Sequence, residues 1–148
     1  MPMKRISMTL TVVALLCASA WWLWSQPAML QPVADATKSR LAVVWTSGDS
    51  EVAHRVCLMY SHAAHKQKWF DQVVLIVWGP SARLLAADKD LQAKVKAMMQ
   101  DGMKVQACVA CADSYGVSGR LREMGLEVKG MGPPLTEMLK DGWKVLTF

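Results

Sequence analysis

The residues best suited to chemistry are two cysteines, Cys108 and Cys111, spaced C-x-x-C in the stretch ACVACADSYGVSG (107–119). Cysteines at this spacing occur in redox-active dithiols, in half of many zinc sites and at sulfur-carrying thiols. Two small thiols can also simply fill a buried patch. The stretch therefore presents four alternatives, and the surrounding elements help to separate them.

The cysteine pair lies where a strand is predicted to pass into a helix. The run MKVQAC (103–108) predicts a strand, and a short helix is expected from about Ala110 to Gly116, where a glycine suits a helix end. Cys108 then ends the strand and Cys111 lies in the first helical turn. Free N–H groups at a helix start stabilise a thiolate, whereas the small apolar neighbours of the pair oppose ionisation. A nucleophilic thiol is the expectation.

A zinc site and a thioredoxin-like site are the main rivals. A structural zinc site needs four ligands, and the other thiol and imidazole groups of the domain all lie on the first predicted helix: His54, Cys57, His62 and His65. Cys57 falls on the apolar stripe of that helix and is interpreted as a core thiol, and the histidines as surface residues. In thioredoxin-like domains the C-x-x-C follows the first strand, whereas here it follows the third. We therefore expect neither a metal nor a cofactor.

The elements that must position the pair follow from hydrophobic patterning. Continuous apolar runs or weaker strand patterns occur at 41–46, 73–78, 103–108, 126–131 and 143–148. Helical patterns occur at 50–66, at 81–100 with a break near Asp88, and at 134–141. This alternation predicts an α/β fold with a mostly parallel sheet of about five strands sandwiched by helices.

Three segments follow the carboxyl ends of the predicted strands, where ligands gather in such sheets. Besides the cysteine stretch, they are TSGDS (46–50) and WGPS (78–81). The sequence has no GxGxxG and no GxxxxGK[ST], so we interpret TSGDS as a capped turn and WGPS as a plain strand-to-helix turn.

Composition narrows the possible partners. The 148-residue chain is 53% hydrophobic and 20% charged, with a net charge of +5. The basic residues are scattered among acidic ones and form no stripe that would follow a phosphate backbone. Nucleic-acid binding is therefore not expected.

The N-terminus predicts export. Lys4 and Arg5 precede an uncharged apolar run (6–24), and Ala18-Ser19-Ala20 fits a signal-peptidase site. The run also approaches the ~20 residues that span a bilayer, so residues 1–24 are a signal peptide or a membrane anchor. Residues 25–40 are predicted to be a linker and 41–148 the folded domain, on the periplasmic side.

The cysteine stretch, together with LREMGLEVKGMG and the terminal KVLTF, resembles the DsrE/DsrF-like sulfur-relay family over residues 41–148. The most specific match is a cysteine at the end of the third strand with a glycine eight residues later, here Cys108 and Gly116. The resemblance implies a three-layer, flavodoxin-like fold, assembly as homo-trimers or hexamers, and sulfur transfer as a cysteine persulfide between donor and acceptor partners. The family varies at the position of Cys111. Its well-understood members act in the cytoplasm, so for an exported domain the resemblance implies the chemistry of the thiol and leaves the pathway open.

Taken together, the sequence predicts an exported sulfur carrier or sulfurtransferase. Cys108 is the predicted sulfur acceptor, and Cys111 a resolving thiol that releases sulfur by closing a disulfide. The alternative is a non-catalytic oligomeric binding module whose cysteines are structural or disulfide-bonded. The tryptophans of the domain suit either the core or an oligomer interface: Trp45, Trp69, Trp78 and Trp143.

Overall fold

A five-stranded, all-parallel sheet organises the chain, in the order β4-β3-β2-β1-β5. The structure is a computed structural model, and it describes residues 38–148. The strands are β1 (Arg40–Trp45), β2 (Gln72–Val77), β3 (Lys104–Cys108), β4 (Glu127–Lys129) and β5 (Lys144–Thr147). The predicted strands are therefore confirmed, with ends shifted by one or two residues in most cases.

Helices connect the strands and cover both faces of the sheet, so the predicted three-layer α/β fold is confirmed. Helix α1 is continuous from an α-helical start (Ser50–Val52) through a π-helical middle (Ala53–Cys57) to an α-helical end (Leu58–Lys66). The others are α2 (Pro80–Ala87), α3 (Lys89–Gln100), α4 (Val109–Ser114), α5 (Ser118–Glu123) and α6 (Gly132–Lys140). The π-helical turn was not predicted.

The two faces of the sheet differ in cover. The face that carries Leu41, Val43 and Trp45 packs against buried residues from α1 to α5, and we call it the thick face. The opposite face carries Ala42, Val44, Val74, Ile76 and Cys108, and we call it the thin face. Its helical cover includes Leu135 and Met138 of α6. Because side chains alternate along a strand, each central strand contributes to both faces.

The central strands are almost continuously apolar because both of their faces are buried. Residues of β1 and β2 pair in register from Arg40 with Gln72 to Trp45 with Val77. The outer strands are shorter and carry charged residues such as Lys129 and Lys144, which blunt an exposed edge against pairing with other chains.

Capping residues set two of the helix boundaries. Asp49 accepts a hydrogen bond from the main-chain N–H of Val52 at 2.9 Å, so TSGDS is a capped turn as predicted. Asp88 ends α2 and caps α3 by accepting from the N–H groups of Asp90 and Leu91, which confirms the predicted break.

The tryptophans divide between core and surface. Trp45 is fully buried and Trp69 is 54% exposed, while Trp78 and Trp143 are partly buried against the thin face. A core role is thus established for Trp45, and the oligomeric state stays a prediction.

The predicted signal peptide or anchor (1–24) and most of the predicted linker (25–40) lie outside the described residues. Within residues 38–148, no helix is long and apolar enough to cross a membrane. The cellular location stays a prediction.

Candidate functional site

Cys108 is the last residue of β3, at the carboxyl edge of the sheet where its position was predicted. Its side chain is on the thin face and is only 6% exposed. Its backbone is extended (φ −71°, ψ 117°) and serves as the start of α4. The chain therefore turns from strand to helix at the cysteine itself, which holds the thiol at the end of a rigid element.

Cys111 lies in the first turn of α4, as predicted, and is half-buried. Its thiol is within hydrogen-bond reach of the Cys108 thiol, and both cysteines are reduced in the structure. The fold thus places two free thiols side by side, the inner one nearly covered and the outer one accessible to solvent.

Gly79 is the third component of the site, because its main-chain N–H donates a hydrogen bond to the Cys111 sulfur. Gly79 connects β2 to α2 with φ 76° and ψ −137°, a conformation that is open to glycine and strained for other residues. The WGPS segment, which we expected to be a plain turn, therefore contributes a donor to the site.

The same turn is tied down from inside the protein. The buried hydroxyl of Ser81 donates to the main-chain oxygen of Trp45 at 2.5 Å, and it accepts from the N–H of Trp78 at 3.1 Å. These bonds fix the end of β2 against the end of β1. The Gly79 N–H is consequently held in place for the thiol it contacts.

Burial raises the pKa of the Cys111 thiol, and the neighbouring Cys108 thiol raises it further through a hydrogen bond and charge repulsion. The hydrogen bond from Gly79 acts in the opposite direction, because it stabilises the thiolate. The net direction leaves Cys111 as a thiol that keeps its proton at neutral pH. Its S–H is then available as a donor to the sulfur of Cys108.

The residues that follow Cys111 have other partners. Ser114 donates from its hydroxyl to the main-chain oxygen of Cys111 at 2.8 Å, and Asp113 accepts a hydrogen bond from the hydroxyl of Ser118. Tyr115 lies against Arg83, whose guanidinium carbon is 5.3 Å from the ring centroid. The Ser114 hydroxyl and the Tyr115 ring are therefore engaged with groups other than the two thiols.

Gly116 explains the eight-residue spacing from Cys108. It has φ 66° and donates from its N–H to the main-chain oxygen of Asp113 at 2.9 Å, and Val117 donates to Ala112 at 2.8 Å. This is the left-handed closure that ends many helices. The spacing from cysteine to glycine is the length of α4 together with its C-terminal cap.

A charged cluster next to Cys108 was not predicted. Lys129 of β4 pairs in register with Cys108 and therefore shares the thin face with it. Glu127 binds the amine of Lys129 at 2.6 Å and the side-chain amide of Gln106 at 2.6 Å. These bonds hold the pKa of Glu127 at about 2, with Lys129 as the largest cause. Alternation in KVQAC places Gln106 and Cys108 on one face, but the partner strand is not readable from that pattern.

The rival zinc ligands lie elsewhere. Cys57 is fully buried in the thick-face core, as interpreted, and its burial raises its pKa to about 12. His62 and His65, interpreted as surface residues, are partly exposed. Their Nε2 atoms contact Asp101, at 2.6 Å from its carboxylate and 2.9 Å from its main-chain oxygen, respectively. Within residues 38–148, no cluster of three potential metal ligands occurs.

Comparison with known proteins supports one family. A sequence model of the DsrE/DsrF-like family matches residues 39–148. A solved structure of a conserved protein of unknown function, BT1422 from Bacteroides thetaiotaomicron, is 32% identical, with a TM-score of 0.71 over 74% of this chain and 95% of that chain. The ychN protein from E. coli is 20% identical, with a TM-score of 0.59 over 74% and 99% of the two chains, and shares the fold. No curated protein matches the sequence.

Proposed function

Since this chain belongs to the DsrE/DsrF-like family, we propose that it acts in sulfur relay by carrying sulfane sulfur as a persulfide on Cys108. The observation that carries the proposal is the contact between two free thiols at the end of β3. One thiol is nearly covered by the thin face, and the other keeps its proton and is accessible. A buried Cys108 could hold a sulfur atom away from solvent, and the protonated thiol of Cys111 beside it could take part in its release.

Loading is a thiol exchange reaction. The Cys108 thiolate attacks the terminal sulfur of a persulfide donor, R–S–S⁻, and forms a new S–S bond. The donor's own S–S bond breaks, and R–S⁻ leaves with the electron pair. The product is Cys108–S–S⁻. The S–H of Cys111 is placed to donate a hydrogen bond to this anion, and the amine of Lys129 lies on the same face of the sheet.

Release has two routes that both balance. A partner thiolate can attack the outer sulfur, which regenerates the Cys108 thiolate and leaves the partner persulfidated. Alternatively, Cys111 attacks the inner sulfur, closes the Cys108–Cys111 disulfide and expels HS⁻. Two equivalents of an external thiol then restore the dithiol. Cys111 is the resolving residue in the second route.

Location and assembly complete the proposal. The basic and apolar N-terminus favours a periplasmic carrier, and the family resemblance favours a homo-trimer or hexamer that meets separate donor and acceptor proteins. Exchange with such partners takes place at the carboxyl edge of the sheet, where Cys111 is accessible.

The test is sulfur loading followed by mass spectrometry. The reduced protein is incubated with polysulfide, and the added sulfur is located on intact protein and on peptides. We expect Cys108→Ser to lose the adduct and Cys111→Ser to keep it for longer, because the resolving thiol is absent. Cys57→Ala serves as the matched control, since Cys57 is buried in the thick-face core. This variant should load sulfur like the wild type.

Two results would contradict the proposal. Sulfur that persists in Cys108→Ser and disappears in Cys111→Ser would exchange the two roles. Failure of the wild type to carry any sulfur would favour the alternative, a binding module with structural cysteines.

A further inference from the structure

Helices α2 and α4 lie side by side next to the thiols. They start at the carboxyl ends of the neighbouring parallel strands β2 and β3, so they run in the same direction. Near their starts, Gly79 contacts Cys111. Four residues after each of these two positions, Arg83 lies over the ring of Tyr115. Four residues are about one helical turn, ~5.4 Å along the axis. The Arg83–Tyr115 contact therefore lies about one turn further along the two segments than the Gly79–Cys111 contact.

The direction of helical side chains indicates where the Arg83 guanidinium extends. In a helix the Cα–Cβ bond tilts towards the N-terminus, and long side chains extend back over the preceding turn. For Arg83 of α2, the preceding turn is the one that begins at Gly79. The Arg83 side chain is therefore expected to extend towards the turn that contains Gly79, whose N–H contacts Cys111.

The charge of Arg83 is available to a ligand. Its side chain is exposed, and within residues 38–148 its interaction is with the Tyr115 ring, with no carboxylate at ion-pair distance. Stacking on an aromatic face orients a guanidinium and leaves its N–H edge free. That planar edge matches the oxygens of an oxyanion. Asp88, the next acidic residue along the chain, is occupied in capping α3.

We propose that Arg83, oriented by Tyr115, binds the oxyanion end of a small anionic sulfane donor of the thiosulfate class and presents its terminal sulfur to the Cys108–Cys111 pair. This inference rests on the proposed function, to which it adds a donor class. The Cys108 thiolate attacks the terminal sulfur of S–SO₃²⁻, and the bond to the sulfonate sulfur breaks. Sulfite, SO₃²⁻, leaves with the electron pair, and Cys108–S–S⁻ remains.

The first experiment measures sulfur loading from thiosulfate. Sulfite release and the mass of the Cys108 adduct are followed at subsaturating thiosulfate for the wild type, Arg83→Gln and Arg83→Lys. We expect about a fivefold lower rate for Arg83→Gln, the effect of one exposed charge contact of about 1 kcal/mol. Arg83→Lys should keep part of the rate because it keeps the charge. Arg55→Gln removes an equal charge from α1, where Glu51 binds the guanidinium at 2.6 Å, and should behave as the wild type.

The second experiment separates charge recognition from sulfur chemistry. Iodoacetate and iodoacetamide alkylate thiols at the same carbon and differ in charge. Arg83→Gln should lower the iodoacetate-to-iodoacetamide rate ratio at the cysteine pair by a few-fold, whereas Arg55→Gln should leave it unchanged. An unchanged ratio in Arg83→Gln overturns the inference. So does a wild type that loads sulfur from polysulfide but not from thiosulfate, an outcome that leaves the proposed function standing. A wild type that loads sulfur from neither donor overturns the proposed function itself.

Discussion

The thick and thin faces of the sheet differ in how completely they are covered by buried side chains. The thick face meets buried side chains from five helices, and its core includes the fully buried Trp45 and Cys57. The thin face has a core of six buried residues, one of which is Cys108, and partly exposed groups complete its cover. Since dense packing excludes both water and reagents, the thick face supplies stability, and the thin face leaves a thiol within reach of solvent.

Cys57 and Cys111 show how the surroundings of a thiol change the causes that set its pKa. Cys57 and Cys111 are both helical, and burial is the largest cause of the raised pKa of each. For Cys57 the pKa reaches about 12, because burial in the thick-face core outweighs the opposing hydrogen bond from the Ser61 hydroxyl. For Cys111 a main-chain donor at Gly79 opposes burial, a second thiol is in contact, and part of the residue is exposed. We therefore expect the reactivity of each thiol to depend on the segments that surround it and not on the residue type alone.

The largest expected effect tests the stability of the two faces. Trp45→Ala should lower the free energy of unfolding by about 3–5 kcal/mol, because it empties a large, fully buried site. Met138→Ala on the thin face should cost about 1–2 kcal/mol, since Met138 is only partly buried. Urea denaturation of the full chain measures both. If Trp45→Ala fails to fold, Trp45→Phe provides a graded variant that keeps most of the ring volume. Equal losses in the free energy of unfolding for the two variants would contradict the proposed difference between the faces.

The next effect concerns thiol reactivity. With iodoacetamide at pH 8 and no denaturant, Cys57 should react at least ~100-fold more slowly than the Cys108–Cys111 pair, because a thiol of pKa about 12 has almost no thiolate there. Quantitative peptide mass spectrometry follows each site, and urea provides the control in which Cys57 becomes reactive. In Cys108→Ser, labelling of Cys111 should shift to lower pH, because two of the causes that raise its pKa are removed. Labelling of native Cys57 at the rate of the pair would refute the assignment.

The smallest effect concerns the charged edge of the thin face. The folded-state pKa of Glu127 is about 2, below its ordinary 4.5, so its ionised form favours the folded state. This contribution is fully present above pH 4.5 and is lost as the pH falls from 4.5 to 2. Glu127→Gln should therefore be less stable than the wild type at neutral pH by under ~1 kcal/mol, since the carboxylate is well exposed. The difference should shrink in acid. A stability difference between the wild type and Glu127→Gln that stays constant down to pH 2 would contradict this account.

Local patterns were sufficient for the elements and for the place of the cysteines. The apolar runs at 41–46 and 73–78 predicted buried parallel strands, and Asp88 predicted a helix break, because these signals act within a few residues. The same applies to Cys108 at a strand end. The π-helical turn at Ala53–Cys57 was missed because a period of 3.6 residues does not distinguish one wide turn from regular helix.

The sequence by itself determined the order of strands and helices, the position of two thiols at the end of the third strand and the family to which the chain belongs. Only the tertiary structure decided what surrounds the thiols: Gly79 against Cys111, Lys129 beside Cys108 and Arg83 over Tyr115. The physical reason is distance along the chain. Hydrophobic periodicity reports contacts within one or two turns, whereas these three contacts join different segments and depend on strand register and helix placement, which the packing of the whole domain sets.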